Sequence, residues 1–184
     1  MEQWREIPGY ESIYEASTDG RIRSCDGKVT RSARFDHRVW KQRIIKPKFQ
    51  HRKNTDKVDA RVTLWKDGKE KTHLVARLVA LAWCTGYFDG ATVNHIDGNP
   101  LNNKPENLEW VSLAVNIRHG FTTGLYPMKS CTLINPEGEK FEFQSQAEAS
   151  RFLNRNQKYI SYRVKSGKAT AISADGSIYG YVGG

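Results

Sequence analysis

Val93-Asn94-His95-Ile96-Asp97-Gly98-Asn99, then Asn102-Asn103, Asn107-Leu108-Glu109-Trp110-Val111 and, further on, Asn116 and His119, set one turn-flanked histidine among many amide side chains. Thr92-Val93 reads as a short strand, Asp97-Gly98-Asn99-Pro100 as a strong turn, and Leu108 to Val111 as a second strand. Ser112 is a fitting N-cap for a helix through Ala114, Val115 and Asn116 to His119, with Gly120 as its C-cap. The product is strand, long loop, strand, helix. A single loop histidine is more often satisfied by backbone, and Asn99, Asn102 and Asn103 are first of all turn formers, because asparagine tolerates left-handed backbone and bonds its own chain. The company of His95 raises it above that reading. Side-chain oxygens of Asn94 and Asn116 suit a hard cation completed by water and phosphate. An imidazole titrating near neutrality suits removal of a proton from an attacking water. Trp110, an aromatic in an apolar strand, belongs to a core rather than to a base stack. His119 could be a further ligand, a phosphate donor or a helix C-terminal residue favoured by the dipole, and the last is the preferred reading.

Upstream of this window, His73 to Trp83 carries apolar residues at 74, 78, 81 and 82, which predict a helix with one buried stripe, ended by Gly86. The first part of the chain reads as short strands joined by turns such as Pro8-Gly9 and Asp19-Gly20, giving small antiparallel sheets. From Arg21 to Lys57, 13 basic residues face 3 acidic ones. A solvated face is the bland explanation, but such an excess repels itself unless an anion lies against it. Phe35, Trp40 and Phe49, interleaved with it, are expected to pack beneath the sheet rather than on base faces. Downstream, Gly124 and Pro127 mark a linker, and Cys131 to Phe143 forms a hairpin turning at Pro136 to Gly138. A helix follows from Ser145, which with Glu148 makes a capping box, its apolar face being Ala149, Phe152 and Leu153. After Asn154-Arg155-Asn156 a second helix turns Ile160 and Val164 inward and Lys158, Ser161, Tyr162, Arg163 and Lys165 outward, a helix-turn-helix pattern. Ser177 to Tyr181 supplies a strand to pair with the hairpin.

Over 184 residues a 38% hydrophobic content is low for one large core, and modules are expected: 1–70 β-rich, 71–120 around His95, a linker over 121–130, and 131–184. The net charge of +9 favours a polyanionic partner, since each phosphate neutralised releases condensed counterions. Cys25, Cys84 and Cys131 form no C-x-x-C pair, which speaks against a zinc ribbon and a disulfide framework. Neither a signal-like N-terminus nor a membrane-length apolar run is visible, so a soluble, unexported protein is expected.

Taken together, Val93 to Asn99, Asn102-Asn103, Glu106 to Val111 and Asn116 resemble the HNH motif of phage and intron-encoded homing endonucleases, which folds as two antiparallel strands and a helix around one divalent metal. The resemblance implies that His95 is the general base and Asn107 the brace that orients it, as the catalytic pair. It implies Asn94 and Asn116 as metal ligands, one Mg²⁺ or Mn²⁺ per active site, and no structural zinc. Trp4, Ile7, Gly9-Tyr10-Glu11, Tyr14-Glu15, Ser17 and Gly20-Arg21 resemble the DNA-binding motif at the N-terminus of such nucleases, and Phe143 to Ala149, Leu153, Ile160-Ser161 and Gly167 their C-terminal helix-turn-helix repeat. Some relatives place Asp where Asn94 stands and often His where Ala76 stands; a neutral Asn94 implies weak metal affinity until substrate phosphate completes the site.

The expected fold class is therefore α+β, an elongated multi-module chain with N-terminal antiparallel sheets, a central ββα-metal module and a C-terminal helix-turn-helix. The expected function is a site-specific nuclease that hydrolyses phosphodiesters in duplex DNA with one metal ion, a nicking homing enzyme. DNA contact is assigned to Arg21, Arg23, Arg31, Arg34, Lys41, Arg43, Lys46, Lys48, Arg52 and Lys53 in the first module, and to Lys158, Tyr162, Arg163 and Lys165 in the last. No membrane and no protein partner are expected, but a monomer in the cytoplasm of a phage-infected bacterium. A non-catalytic DNA-binding regulator on the same scaffold is the competing reading, left open by the neutral Asn94 and excluded by metal-dependent nicking. An RNA-binding protein is a third, to be distinguished by preference for single-stranded RNA over duplex DNA.

Overall fold

Val58-Asp59-Ala60-Arg61-Val62-Thr63-Leu64 alternates, and the strand it forms turns Ala60, Val62 and Leu64 into the largest core of the protein. The structure, a computed structural model, describes residues 1–32, 35–53, 57–126 and 128–183, without the side chains of 30–32, 35, 36 and 183. Arg34 lies outside the described residues, as does the side chain of Arg31. The described chain divides into two compact units, Met1–Gly120 and Phe121–Gly184.

In the first unit, strands β1 (Trp4–Glu6), β2 (Tyr14–Ser17) and β3 (Ile22–Ser24) form an antiparallel sheet. Strands β4 (Lys28–Ser32) and β5 (Phe35–Trp40) make a separate hairpin, and β6 (Arg43–Ile44) returns to pair with β3. Strands β7 (Lys48–His51), β8 (Val58–Lys66) and β9 (Lys69–Leu74) form a third sheet with β8 central. Helix α1 (Val75–Trp83) follows β9 directly and leads to β10 (Thr92–His95), β11 (Leu108–Val111) and α2 (Leu113–Thr122). Tyr14, Ala16 and Ile22 from the first sheet, with Ile7 just after β1, share one core with β8, α1, Leu108 and Trp110. Burying a residue such as Leu64 or Leu78 contributes about 1.5–3 kcal/mol, so α1 at the centre ties the sheets to the β10–β11 hairpin.

Several sequence expectations are corrected here. The helix starts at Val75, not His73, because His73 and Leu74 pair with Val62 and Arg61 in the sheet; of the expected stripe Leu78 is fully buried and Leu81 and Ala82 partly, and Val75, Ala76, Val79 and Ala80 complete the buried face. It ends at Trp83, before Gly86: Cys84 is extended with its N–H on Ala80 O, while the Trp83 indole donates to Ala16 O at 3.0 Å. Ser112 does cap α2, its Oγ accepting from Val115 N at 3.3 Å. Gly120 is not the C-cap, because it lies buried within the helix; the chain turns at Gly124, whose φ is +72°. Phe49 is 64% exposed, on an edge strand with every residue exposed, so it does not pack beneath the sheet. Phe35 has no described side chain.

In the second unit, β12 (Cys131–Ile134) and β13 (Lys140–Phe143) form the expected hairpin, followed by α3 (Gln146–Phe152), α4 (Tyr159–Lys165), β14 (Thr170–Ile172) and β15 (Ile178–Gly183). The sheet order is β13-β12-β15-β14, all antiparallel, so the last strand does pair with the hairpin. Ser145 Oγ accepts from Glu148 N at 3.2 Å, and Glu148 reaches back to Gln144 N rather than to Ser145 itself. Ala149, Leu153 and Ile160 are buried, whereas Val164 is exposed: the seven residues of α4 meet the core through Tyr159 and Ile160, and Val164 lies a turn beyond.

Candidate active site

The β10–β11 hairpin pairs Thr92 with Val111, Val93 with Trp110, Asn94 with Glu109 and His95 with Leu108. Between its strands the chain makes a loop that is held by its own amides. Asp97 Oδ1 accepts from Asn99 N at 2.8 Å, Asn99 Oδ1 from Leu101 N at 3.0 Å, and Asp97 Oδ2 from the Asn102 amide at 2.7 Å. Asn107, only 7% exposed, uses both ends of its side chain. Its Oδ1 accepts from Asp97 N at 2.9 Å, and its Nδ2 donates to Asp97 Oδ1 and Asn102 O, each at 2.9 Å. Slight burial opposes ionisation of Asp97, but the hydrogen bonds from Asn102, Asn99 N and Asn107 outweigh it and hold its carboxyl below the usual carboxylate range.

His95 stands at the end of β10, half-buried, with Nε2 3.1 Å from Asn103 Oδ1. Asn103 Nδ2 faces Leu101 O, which sets the orientation of the amide and leaves Oδ1, an acceptor only, against the imidazole. Nε2 therefore carries the proton and Nδ1 is the basic nitrogen. Burial lowers the His95 pKa; the Asn103 bond opposes that by favouring the charged form. Gly98 N donates to His95 O at 2.9 Å, so the backbone is tied as well.

The loop is also held from outside. Gly20, at φ +76°, packs so tightly that a Cβ there would lie 2.8 Å from the backbone C and O of Asn103. Beside His95 a small cleft is lined by Arg52, Asp59, Arg77, Thr92 and Asn103. Arg52 forks onto Asp59 Oδ1 at 2.8 and 2.6 Å, and Arg77 donates to Ala91 O while lying over Trp110. Trp110 is buried, as expected of a core aromatic, with Tyr87 edge-on at 5.0 Å.

The hairpin thus brings His95, Asn94 and Asn107 together, with Asn116 following on α2; among the described residues no hydrogen bond links the Asn116 side chain to Asn94 or His95. No group of three or more His, Cys, Asp or Glu side chains suited to a metal occurs among the described residues. Lys41, Arg43, Lys46, Lys48 and Lys53 are largely solvent-facing, and Arg52 is exposed but paired with Asp59. Arg21 and Arg23 are instead engaged within their own sheet. Arg21 pairs with Glu2, and Arg23 with Glu15 at 2.7 Å while stacked 4.1 Å over Trp4. Lys158, Tyr162 and Lys165 are exposed, whereas Arg163 clamps α4 to Thr170 O. Sequence reasoning missed Asn103 as the partner of His95 and missed Arg77, and it named Gly20 and Glu109 only within motifs, without their contacts; a glycine after Asp19 signals a turn, but nothing near it in sequence signals its approach to Asn103. A second cleft, about 820 Å³, lies between Tyr14, Lys28, Trp40, Arg43, Trp65 and Lys66.

Residues 2–59 match the family described as the NUMOD4 motif and residues 78–118 that described as HNH endonuclease. DNA endonuclease I-HmuI of Bacillus phage SP01 is 31% identical over 155 residues, 78% of this chain and 78% of its own. The chain belongs to the HNH homing endonuclease family. An uncharacterized HNH endonuclease of Acanthamoeba polyphaga mimivirus is 31% identical over 163 residues, 86% of this chain and 43% of its own. A solved structure of the HNH homing endonuclease I-HmuI, on DNA binding and cleavage, aligns over 99% of this chain and 98% of that one, with a TM-score of 0.49 and 26% identity. The HNH endonuclease match spans the β10–β11 hairpin and α2 as far as Arg118, and so contains Asn94, His95, Asn107 and Asn116.

Proposed function

We propose that this HNH endonuclease nicks one strand of duplex DNA, with His95 as general base and one divalent ion per active site. The observation that carries the proposal is the geometry at His95: Nε2 lies 3.1 Å from Asn103 Oδ1, which leaves Nδ1 as the basic nitrogen, and burial lowers the ring's pKa below that of an ordinary histidine. Nδ1 then takes a proton from a water attacking the scissile phosphorus, a contribution of about 10²–10⁴ in rate. Asn107 acts through the loop, holding Asp97 and the Asn102 carbonyl so that Asn103 and His95 keep their geometry. Asn94 and Asn116 would hold Mg²⁺ or Mn²⁺ through their amide oxygens, with the substrate phosphate completing the shell. Such an ion supplies charge neutralisation at the phosphate and at the leaving oxygen.

The solvent-facing Lys41, Arg43, Lys46, Lys48 and Lys53, with Arg52 beside His95, would track phosphates along the duplex. Lys158, Tyr162 and Lys165 on α4 would engage a separate stretch. Two linked weak contacts bind more tightly than either alone through effective concentration. One active site per chain and one cut strand make a monomer sufficient, acting in the cytoplasm of a phage-infected cell.

The test is supercoiled plasmid carrying the cognate locus, incubated with Mg²⁺ and resolved strand by strand on denaturing gels. The wild type is expected to give a break in one strand, and His95→Ala to slow it by about 10²-fold or more. Equal, metal-independent results for both would refute the proposal.

A further inference from the structure

Asn94 is by itself a poor ligand for a hard cation, since its amide oxygen carries only a partial charge and such ions favour carboxylates. Its register partner across the hairpin is Glu109. Directly opposed residues of an antiparallel pair project from the same face, and here the side chains meet: Asn94 Nδ2 donates to Glu109 Oε1 at 2.7 Å, the length of a charge-assisted bond. A carboxylate accepts and cannot donate, so this bond settles which end of the amide is nitrogen and turns Oδ1 away from Glu109. Asn94 is 4% exposed, so water does not compete for that orientation. Among the described residues no hydrogen bond reaches Asn94 Oδ1, and no lysine or arginine forms an ion pair with Glu109, which is exposed. Donation to a carboxylate draws electron density toward the amide oxygen, and the carboxylate adds its own negative field.

We infer that Glu109 is a positioning residue for the metal site: it fixes the Asn94 amide with its oxygen outward and lends that neutral ligand the charge an aspartate would carry itself. The inference rests on the proposed role of Asn94 as a metal ligand. Partners that orient ligands in this way typically matter about tenfold to a hundredfold for metal affinity or activity.

Full-length wild type, E109Q, N94D and the N94D/E109Q double variant would be titrated with Mn²⁺ on a short duplex DNA, with bound ion read from loss of the aqua-ion EPR signal relative to DNA alone. Glu109 is exposed and glutamine nearly isosteric, so thermal melting is expected to match wild type. E109Q should weaken Mn²⁺ uptake by about tenfold or more. N94D should restore uptake in the E109Q background, because the ligand then carries its own charge and Gln donates to it. A merely strand-pairing Glu109 would show no such rescue. Uptake by E109Q within twofold of wild type, or absence of rescue in a double variant that melts normally, overturns the inference. Wild type that takes up Mn²⁺ without breaking DNA leaves the inference standing and defeats the nicking proposal; wild type that breaks DNA with E109Q unaffected does the reverse.

Discussion

At Gly20 a missing Cβ joins the first sheet to the active-site loop. Any side chain there meets two costs together, a positive φ and the backbone of Asn103 at 2.8 Å, and Asn103 is what holds His95. Gly20→Ala is therefore expected to destabilise the first unit by about 1–3 kcal/mol and to lower nicking more than DNA binding, measured by denaturant unfolding and by gel assay side by side. Asn103 also controls a signed pH effect. The base works only when neutral, and burial lowers its pKa, so the acid limb of the pH–rate profile should lie below the ordinary histidine value. Asn103→Ala removes the acceptor that favours the imidazolium. The limb should move to still lower pH while the plateau rate falls, because the tautomer is no longer held; an unmoved or raised limb would contradict this. The role of Asn107 as a brace was implied only by the resemblance to the HNH motif; its side-chain partners in the structure, Asp97 and Asn102, lie within ten residues of it. Asn103 read only as a turn former, and Gly20 only as a turn.

The elements show where local rules were overridden. Periodicity from His73 suggested a helix, but pairing with Val62 keeps His73 in β9, where its Nε2 meets the Tyr10 hydroxyl at 2.8 Å. Burial lowers the His73 pKa, so the unfolded chain binds a proton that the fold does not. Stability of the first unit should therefore be intact above the ordinary histidine pKa and decline as pH falls through it, a trend checked by denaturation midpoints at about pH 7.5 and about pH 5. In the second unit the corner between α3 and α4 depends on Ser150, fully buried, whose Oγ donates to Gln146 O at 2.7 Å and accepts from Ile160 N at 3.1 Å. Ser150→Ala strands the Ile160 N–H and should cost about 1–3 kcal/mol, more than most exposed caps, as read by chemical denaturation. The capping serine Ser145 was legible because its partner is three residues away; Ser150 was not, because its partner belongs to the next helix.

Across the whole molecule the net charge of +9 divides into cations that face solvent and cations already engaged within the fold. Replacing Lys46, Lys48 and Lys53 by alanine should reduce the slope of log affinity against log salt by up to about 0.9 for each phosphate that is no longer neutralised. Replacing Arg21 and Arg23, paired with Glu2 and Glu15, should instead weaken the first sheet and leave that slope nearly unchanged. Filter binding over a salt series separates the two groups. By itself the sequence determined the basic excess, the strand, loop, strand and helix around His95, and the hairpin and two helices of the second unit, because turn chemistry, capping and hydrophobic period act within a few residues. Only the tertiary structure decided that Gly20 closes on Asn103, that Glu109 stands against Asn94, that Arg21 and Arg23 are paired, and that the sheets and α1 share one core. Strand register and packing between elements are chosen by the summed burial of side chains far apart in the chain, and no local window carries that sum.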